Sequence, residues 1–208
     1  MSLPLAHLSL LRPLLAGVRA RGVDPEPVLN SAALTEESIS RDDTTVHVMV
    51  VHEFLESCAR AVQDPTFSSR VAEELNPCGW PMVASAVQQG GSLADFLSTY
   101  VSGANTVESS VPAYLHLRGA LAEFGETRHF RPATPPAQND GYMIGLSLAM
   151  LRHVLGTRLD AKQVTLIVCD PRVLPEDWSS FQILRGDEMG ARIQFPSHWL
   201  PYDLRARR

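Results

Sequence analysis

The sequence predicts an α+β fold in a single domain, with a helical N-terminal half followed by a small antiparallel or mixed sheet packed with helices. Two observations predict it. Segments with apolar residues three and four apart fill the chain up to about Ser109, and alternating or continuous apolar segments appear after it. The chain also has 208 residues, 45% of them hydrophobic and 20% charged, enough for one substantial core and too apolar for a disordered chain.

The elements follow in order. Residues 5–21 are helical in pattern despite Pro13 and end at Gly22-Val23-Asp24-Pro25. A short helix follows over residues 27–33, with Pro27 in a first turn, where a missing N–H costs nothing. Thr44 or Thr45 is placed to cap the next helix, in which Val48, Val51, Leu55, Cys58 and Val62 form one apolar face before Asp64-Pro65 stops it. Residues 67–75 read as another short helix, closed by Asn76-Pro77-Cys78-Gly79-Trp80-Pro81. Ser92-Leu93-Ala94-Asp95 is a capping box with Asp in the place of Glu or Gln. Leu93, Phe96, Leu97, Tyr100 and Val101 mark the amphipathic helix that it starts.

Past Ser109 the period changes. Tyr114, His116 and Arg118 alternate with Leu115 and Leu117, and residues 124–130 around Gly125 carry aromatic and β-branched side chains; the two stretches read as an antiparallel pair. Residues 132–141, with three prolines, read as a loop. Residues 142–155 form a second strong helix, with Ile144, Leu148, Leu151 and Leu155 on one face and Gly156 closing it. The continuous apolar run over residues 164–169 reads as a buried strand. Pro175-Glu176-Asp177 opens a short helix through Leu184, with its acids at the favourable end of the dipole, and residues 192–195 form a last strand. No internal repeat is visible.

Charge and cysteine usage narrow the function. Residues 1–110 carry 6 basic and 13 acidic side chains and residues 111–208 carry 12 and 10, so neither half has the concentrated basic face that a phosphate backbone needs. Cys58, Cys78 and Cys169 are odd in number and form no C-x-x-C pair, as expected of free thiols in a reducing compartment. The apolar start lacks a basic segment ahead of it and is interrupted by Pro4, His7, Arg12 and Pro13, so neither a signal peptide nor a membrane span is expected and the protein reads as cytoplasmic.

Catalytic motifs are missing. His52-Glu53-Phe54-Leu55-Glu56 has Glu56 where a zinc protease needs its second histidine, and reads as a solvated helix face. Neither a G-x-S-x-G elbow nor a phosphate-binding glycine loop occurs, and Cys78 has no identifiable base and reads as a small buried hydrophobe. No catalytic residue, metal or cofactor is expected. The polar residues with most to offer are His116 and Arg118 on the first strand and Arg128 and His129 across the turn. They form either an outer solvated face or one side of a pocket for an anionic or polar ligand, for which the guanidinium fork is suited. Tyr100 and Asn105, on and after the amphipathic helix, reach toward the same space, and Trp80 offers an aromatic wall, although Tyr100 and Trp80 also suit a core.

The order of several local motifs adds a resemblance. Asp64-Pro65-Thr66-Phe67 follows a long helix, Gly79 precedes Ala84, and the helix start Gly91-Ser92-Leu93-Ala94-Asp95-Phe96-Leu97 comes next. Then Leu155-Gly156 precedes the apolar strand, and Pro171 precedes Arg192-Ile193-Gln194-Phe195 and Tyr202-Asp203-Leu204. This set resembles the N-terminal ligand-binding, arabinose-binding-type domain of AraC-family bacterial transcription regulators, over about residues 11–204. The resemblance implies a domain, here residues 1–204, that binds a small-molecule effector, forms a homodimer and signals to a C-terminal pair of helix-turn-helix units. DNA would be reached only through those units, which this chain lacks, and residues 205–208 would begin the linker to them. The family supplies no ligand residues by position, so Trp80, Tyr100, Asn105, His116, Arg118 and Arg128 stand as candidates from their chemistry. The alternatives are a stand-alone ligand- or protein-interaction module and an enzyme with an unrecognised site.

Overall fold

Pro13 divides the N-terminal segment that periodicity assigns to one helix. The computed structural model, which describes residues 4–107 and 111–204, opens with strand β1, Leu5–His7, and a 3-10 turn, Leu8–Leu11. Helix α1 is Arg12–Ala20, with Pro13 in its first turn, the one place where the ring fits a helix. The residues before it pair instead. After α2, Glu26–Ser31, and α3, Glu36–Ser40, comes β2, Thr45–His47, which lies antiparallel to β1 with Ala6 opposite Val46. Thr45 is therefore a strand residue. The cap of α4, Val48–Ala61, is His47, whose Nδ1 accepts from the Met49 N–H at 3.3 Å.

Three more helices complete the N-terminal half: α5, Phe67–Glu73, α6, Pro81–Gln89, and α7, Leu93–Val107. Helix α6 starts at the proline that closes the turn, in the position that proline favours. The capping box of α7 forms as its sequence predicts: the Asp95 N–H donates to Ser92 Oγ at 3.2 Å and the Ser92 N–H to Asp95 Oδ2 at 3.0 Å.

Strands β3, Ala113–Arg118, and β4, Leu121–Glu126, form a hairpin that turns at Gly119, where φ is +63°. The turn is thus earlier than the aromatic pattern suggests, and Gly125 lies within β4, where an added Cβ would stand 2.5 Å from the Ala191 carbonyl oxygen. Arg128 and His129 lie past the strand. Helix α8 is Ala137–Leu155 and takes in residues 137–141 of the expected loop, starting directly after Pro135-Pro136. The C-terminal part supplies β5, Thr165–Val168, β6, Gln182–Arg185, and β7, Arg192–Pro196. The helix expected from Pro175 is only a 3-10 turn, Glu176–Trp178. The chain then runs parallel to β5, since the Gln182 and Gly186 N–H groups donate to the Val164 and Val168 carbonyls at 3.0 and 2.8 Å. The tail at residues 205–208, assigned above to a linker, lies outside the described residues.

The five strands stand in the order β3-β4-β7-β5-β6, antiparallel except for β5–β6. Register aligns Leu115, Phe124, Ile193 and Leu166 across one face, and His116, Glu123, Gln194 and Thr165 across the other. The first row belongs to the core, with Phe124, Ile193 and Leu166 buried. Helix α8 lies against β5 and β7 on one side and against α4 and α5 on the other, which is why it is buried on nearly every face. Gly145 permits the closest of these contacts. A Cβ there would lie 2.5 Å from the Ser69 carbonyl oxygen and 2.8 Å from Ala72 Cβ.

Candidate functional site

A cavity of about 80 Å³ opens where the N-terminal segment, α4, α7, α8 and the start of the hairpin meet. Its floor is apolar: Leu11 and Leu14 from the first segment, Val51 and Leu55 from α4. Val51 and Leu55, four residues apart, share one face of α4, while Leu11 ends the 3-10 turn and Leu14 lies in the first turn of α1. Half-buried Trp80, Met82 and Met143 stand at its rim. Four lining residues carry polar groups. Tyr142 and Asn139 come from α8, Glu126 from the end of β4, and Tyr100 from α7. Tyr142 is 6% exposed and its hydroxyl is buried without a hydrogen-bond partner. Burial, with Tyr100 nearby, pushes its pKa up and keeps it a neutral phenol.

Joined to these polar residues is a buried ion cluster. Arg128 Nη2 donates to Asp140 Oδ1 at 2.6 Å and to Glu126 Oε1 at 2.9 Å, and Nη1 donates to the Glu188 carbonyl at 3.1 Å. Asp140 Oδ2 accepts the Cys169 N–H at 2.8 Å, and Asn139 Nδ2 donates to Glu126 Oε1 at 3.0 Å. Burial alone works against the Arg128 charge, but Glu126 and Asp140 outweigh it and raise its pKa. The guanidinium is fully buried, so it stands where no ligand reaches it from water.

A second, open groove of about 470 Å³ lies on the opposite face of the sheet. Tyr114, His116, Arg118, Glu123, Arg192 and Gln194 line it. Glu123, 3% exposed, is its centre: it accepts from Tyr114 at 3.0 Å and Gln194 at 2.8 Å, and pairs with Arg118 at 3.4 Å and Arg192 at 4.0 Å. Burial works against the carboxylate, yet these partners prevail and lower its pKa.

The six candidates therefore divide among four settings. Trp80 and Tyr100 line the apolar cavity, while His116 and Arg118 line the outer groove. Asn105 acts as a splint: its side chain accepts the Ala113 N–H at 2.8 Å and donates to the Ala113 carbonyl at 3.1 Å, joining the end of α7 to β3. Arg128 belongs to the ion cluster, because β4 ends before it and its alternation with His116 and Arg118 is lost. Sequence reasoning missed Glu126, Asn139, Asp140 and Tyr142. The signal for three of them lay in the Pro-rich stretch, since Pro135-Pro136 followed by a polar first turn marks a helix start.

Two further expectations change. His52 lies on the inner side of α4, 2% exposed, packed 5.9 Å from the Phe130 ring, with neither ring nitrogen hydrogen-bonded. Cys78 is half-buried rather than core, its Sγ 3.2 Å from His153 Nε2. Among the described residues no group of three or more His, Cys, Asp or Glu is placed to hold a metal, and no helix is long and apolar enough to cross a membrane.

Comparison with known proteins gives two findings. The sequence model of one protein family, described as the arabinose-binding domain of AraC transcription regulator, N-terminal, matches residues 22–181. The fold is similar to the crystal structure of the transcriptional regulator CdpR from Pseudomonas aeruginosa, with a TM-score of 0.59 and 12% sequence identity. That similarity covers 94% of this chain and 57% of the CdpR chain, so the chain spans little more than half of that regulator's length. A search of curated protein sequences gives no match.

Two stability predictions follow from the buried charges. Arg128→Met leaves Glu126 and Asp140 buried side by side and should lower the unfolding free energy by about 3–5 kcal/mol in urea titrations; a loss below about 1 kcal/mol would show that the carboxylates do not depend on it. Burial, then the charges of Arg128 and His47, push the His52 pKa from 6.5 down to about 3. Between those values the unfolded chain binds more protons, so stability falls as pH drops through that window, by up to about 1.4 kcal/mol per pH unit. His52→Leu should remove this part of the slope, and an unchanged pH profile in the variant would assign the slope to other groups.

Proposed function

The chain belongs to the family of arabinose-binding domains found at the N-terminus of AraC transcription regulators, and we propose that it acts as the effector-sensing domain of such a regulator. Family and structural neighbour alike are transcription regulators. The observation that carries the sensing role is the cavity, an apolar recess with a few polar side chains in its lining, a composition that suits a small-molecule site. A molecule seated there touches the N-terminal segment, α4, α7 and α8 together. It therefore favours whichever arrangement of those elements fits it, and that difference in affinity biases an attached DNA-binding domain. On this reading DNA is contacted only through the C-terminal domain, in keeping with a net charge of −5.

Thermal shift against a library of small amphipathic compounds tests the reading, with Trp80 fluorescence as a second readout. A compound at a hundred times its Kd stabilises by about 2.7 kcal/mol, which is roughly 5–10 °C in Tm for a chain of this size. Ala104→Trp, which fills the cavity, should abolish the response. A library without a single binder, or an Ala104→Trp variant that responds like the wild type, removes the proposal.

Pairing with a second copy is part of the same proposal. Leu117 and Leu121 at the hairpin tip, 67% and 43% exposed, are the apolar side chains that it would cover. Sedimentation should show a dimer that Leu117→Glu weakens; a monomer at all concentrations would refute it.

A further inference from the structure

We propose that Cys78 and His153 form a thiol–imidazole pair that takes up a soft carbon electrophile, a molecule whose carbon–carbon double bond is conjugated to a carbonyl group. Neither residue lines the cavity, and the inference stands apart from the sensing role.

Geometry comes first. Cys78 Sγ lies 3.2 Å from His153 Nε2, although 75 residues separate the two in the chain. A nucleophile and a base within hydrogen-bond reach are the minimum for an activated thiol. The thiol donates while the pair is neutral, and the ring nitrogen donates once the proton has crossed. The base that the sequence leaves unidentified for Cys78 is thus supplied by the far end of α8.

Access singles out this thiol. Cys78 is half-buried and His153 exposed, so a molecule from water reaches the sulfur. The other two cysteines are buried: desolvation pushes the Cys58 thiol up to about 12, and desolvation with Asp140 beside it raises that of Cys169. Both stay protonated and covered, so neither competes for a reagent. Neither is placed to close a disulfide on an oxidised Cys78, which favours a carbon electrophile over an oxidant.

The pair is also held from both sides. Asn76 Oδ1 accepts the Cys78 N–H at 3.1 Å, and the Asn76 carbonyl accepts the Gly79 N–H at 3.0 Å. The 3-10 turn so formed, Pro77–Gly79, packs against α8, and His153 stands in the last turn of that helix. With both backbones fixed, little freedom is lost in bringing the two groups together.

The reaction balances without a further reagent. His153 Nε2 takes the thiol proton as the sulfur attacks the β-carbon. A carbon–sulfur bond forms, and the π electron pair moves onto the carbonyl oxygen as an enolate. The imidazolium proton then passes to the α-carbon. The S–H bond has added across the double bond, with no oxidant, reductant or leaving group.

N-ethylmaleimide in low molar excess over the folded protein tests the inference, with adducts located by peptide mass spectrometry and rates compared with glutathione at the same pH. Cys78 should carry the first adduct, about tenfold or more faster than glutathione, with Cys58 and Cys169 unmodified until denaturant is added. His153→Gln retains a hydrogen-bonding side chain but cannot take up the proton, and should slow Cys78 by about tenfold or more. In denaturant the variant and the wild type should react alike. Should that variant not fold, His153→Ala serves: its rate should fall likewise, and imidazole in the buffer should restore part of it. Cys78 reacting no faster than glutathione, a first adduct on Cys58 or Cys169, or a rate indifferent to His153 overturns the inference and leaves the sensing role untouched.

Discussion

Every hydrogen bond that the Arg128 guanidinium makes leads to a different part of the chain. One reaches Glu126 at the end of β4, another reaches Asp140 in the first turn of α8, and a third reaches the Glu188 carbonyl in the loop before β7. Its own N–H donates to the Met189 carbonyl, and through Asp140 the cluster takes in the Cys169 N–H just past β5. A single buried cation thus fixes where the central helix begins relative to the sheet. Desolvating it is expensive, and the charge persists because two carboxylates and a carbonyl answer its Nη donors, although Nε is buried without a partner.

The candidate site is built on that junction. Residues 137–141 form the first turn and a half of α8, and because Asp140 is anchored inward, Asn139 and Tyr142 are held at the cavity wall. Glu126 serves both sides, as a partner of Arg128 and as part of the wall. Glu123 lines the outer groove, and Glu126, three residues further along at the end of the same strand, borders both that groove and the cavity.

How much of this the sequence reveals depends on the range of the interaction. The α7 capping box, the α8 apolar face and the buried β5 run are local, and they form as their patterns predict. Where a distant partner decides, local pattern fails. Leu5-Ala6-His7 carries a helical pattern but pairs with Thr45–His47, and residues 182–185 leave a predicted helix because β5 offers an edge. The site divides in the same way. Apolar wall residues such as Leu14, Val51 and Leu55 follow from helical spacing, and Tyr100 and Trp80 are recognisable as aromatic candidates. Arg128, read as a ligand-facing arginine, is instead structural, because what surrounds it comes from residues 126, 140, 169 and 188, which no window of sequence brings together. His52 likewise looks solvated beside Glu53 until Phe130 covers it.

The close seat of Gly145 on α5 gives the cavity unequal walls. With the Ser69 carbonyl and Ala72 pressed against it, α8 cannot slide or roll on α5 without collision, and the ion cluster pins the same helix to the sheet. That jaw is anvil-like. The facing side combines a three-residue strand, a 3-10 turn and the rim around Trp80 and Met82 with residues of α1, α4 and α7. On that side β1 is held by its strand partner β2, which leads straight into α4, so the first strand of the chain ties the recess to the helix that floors it.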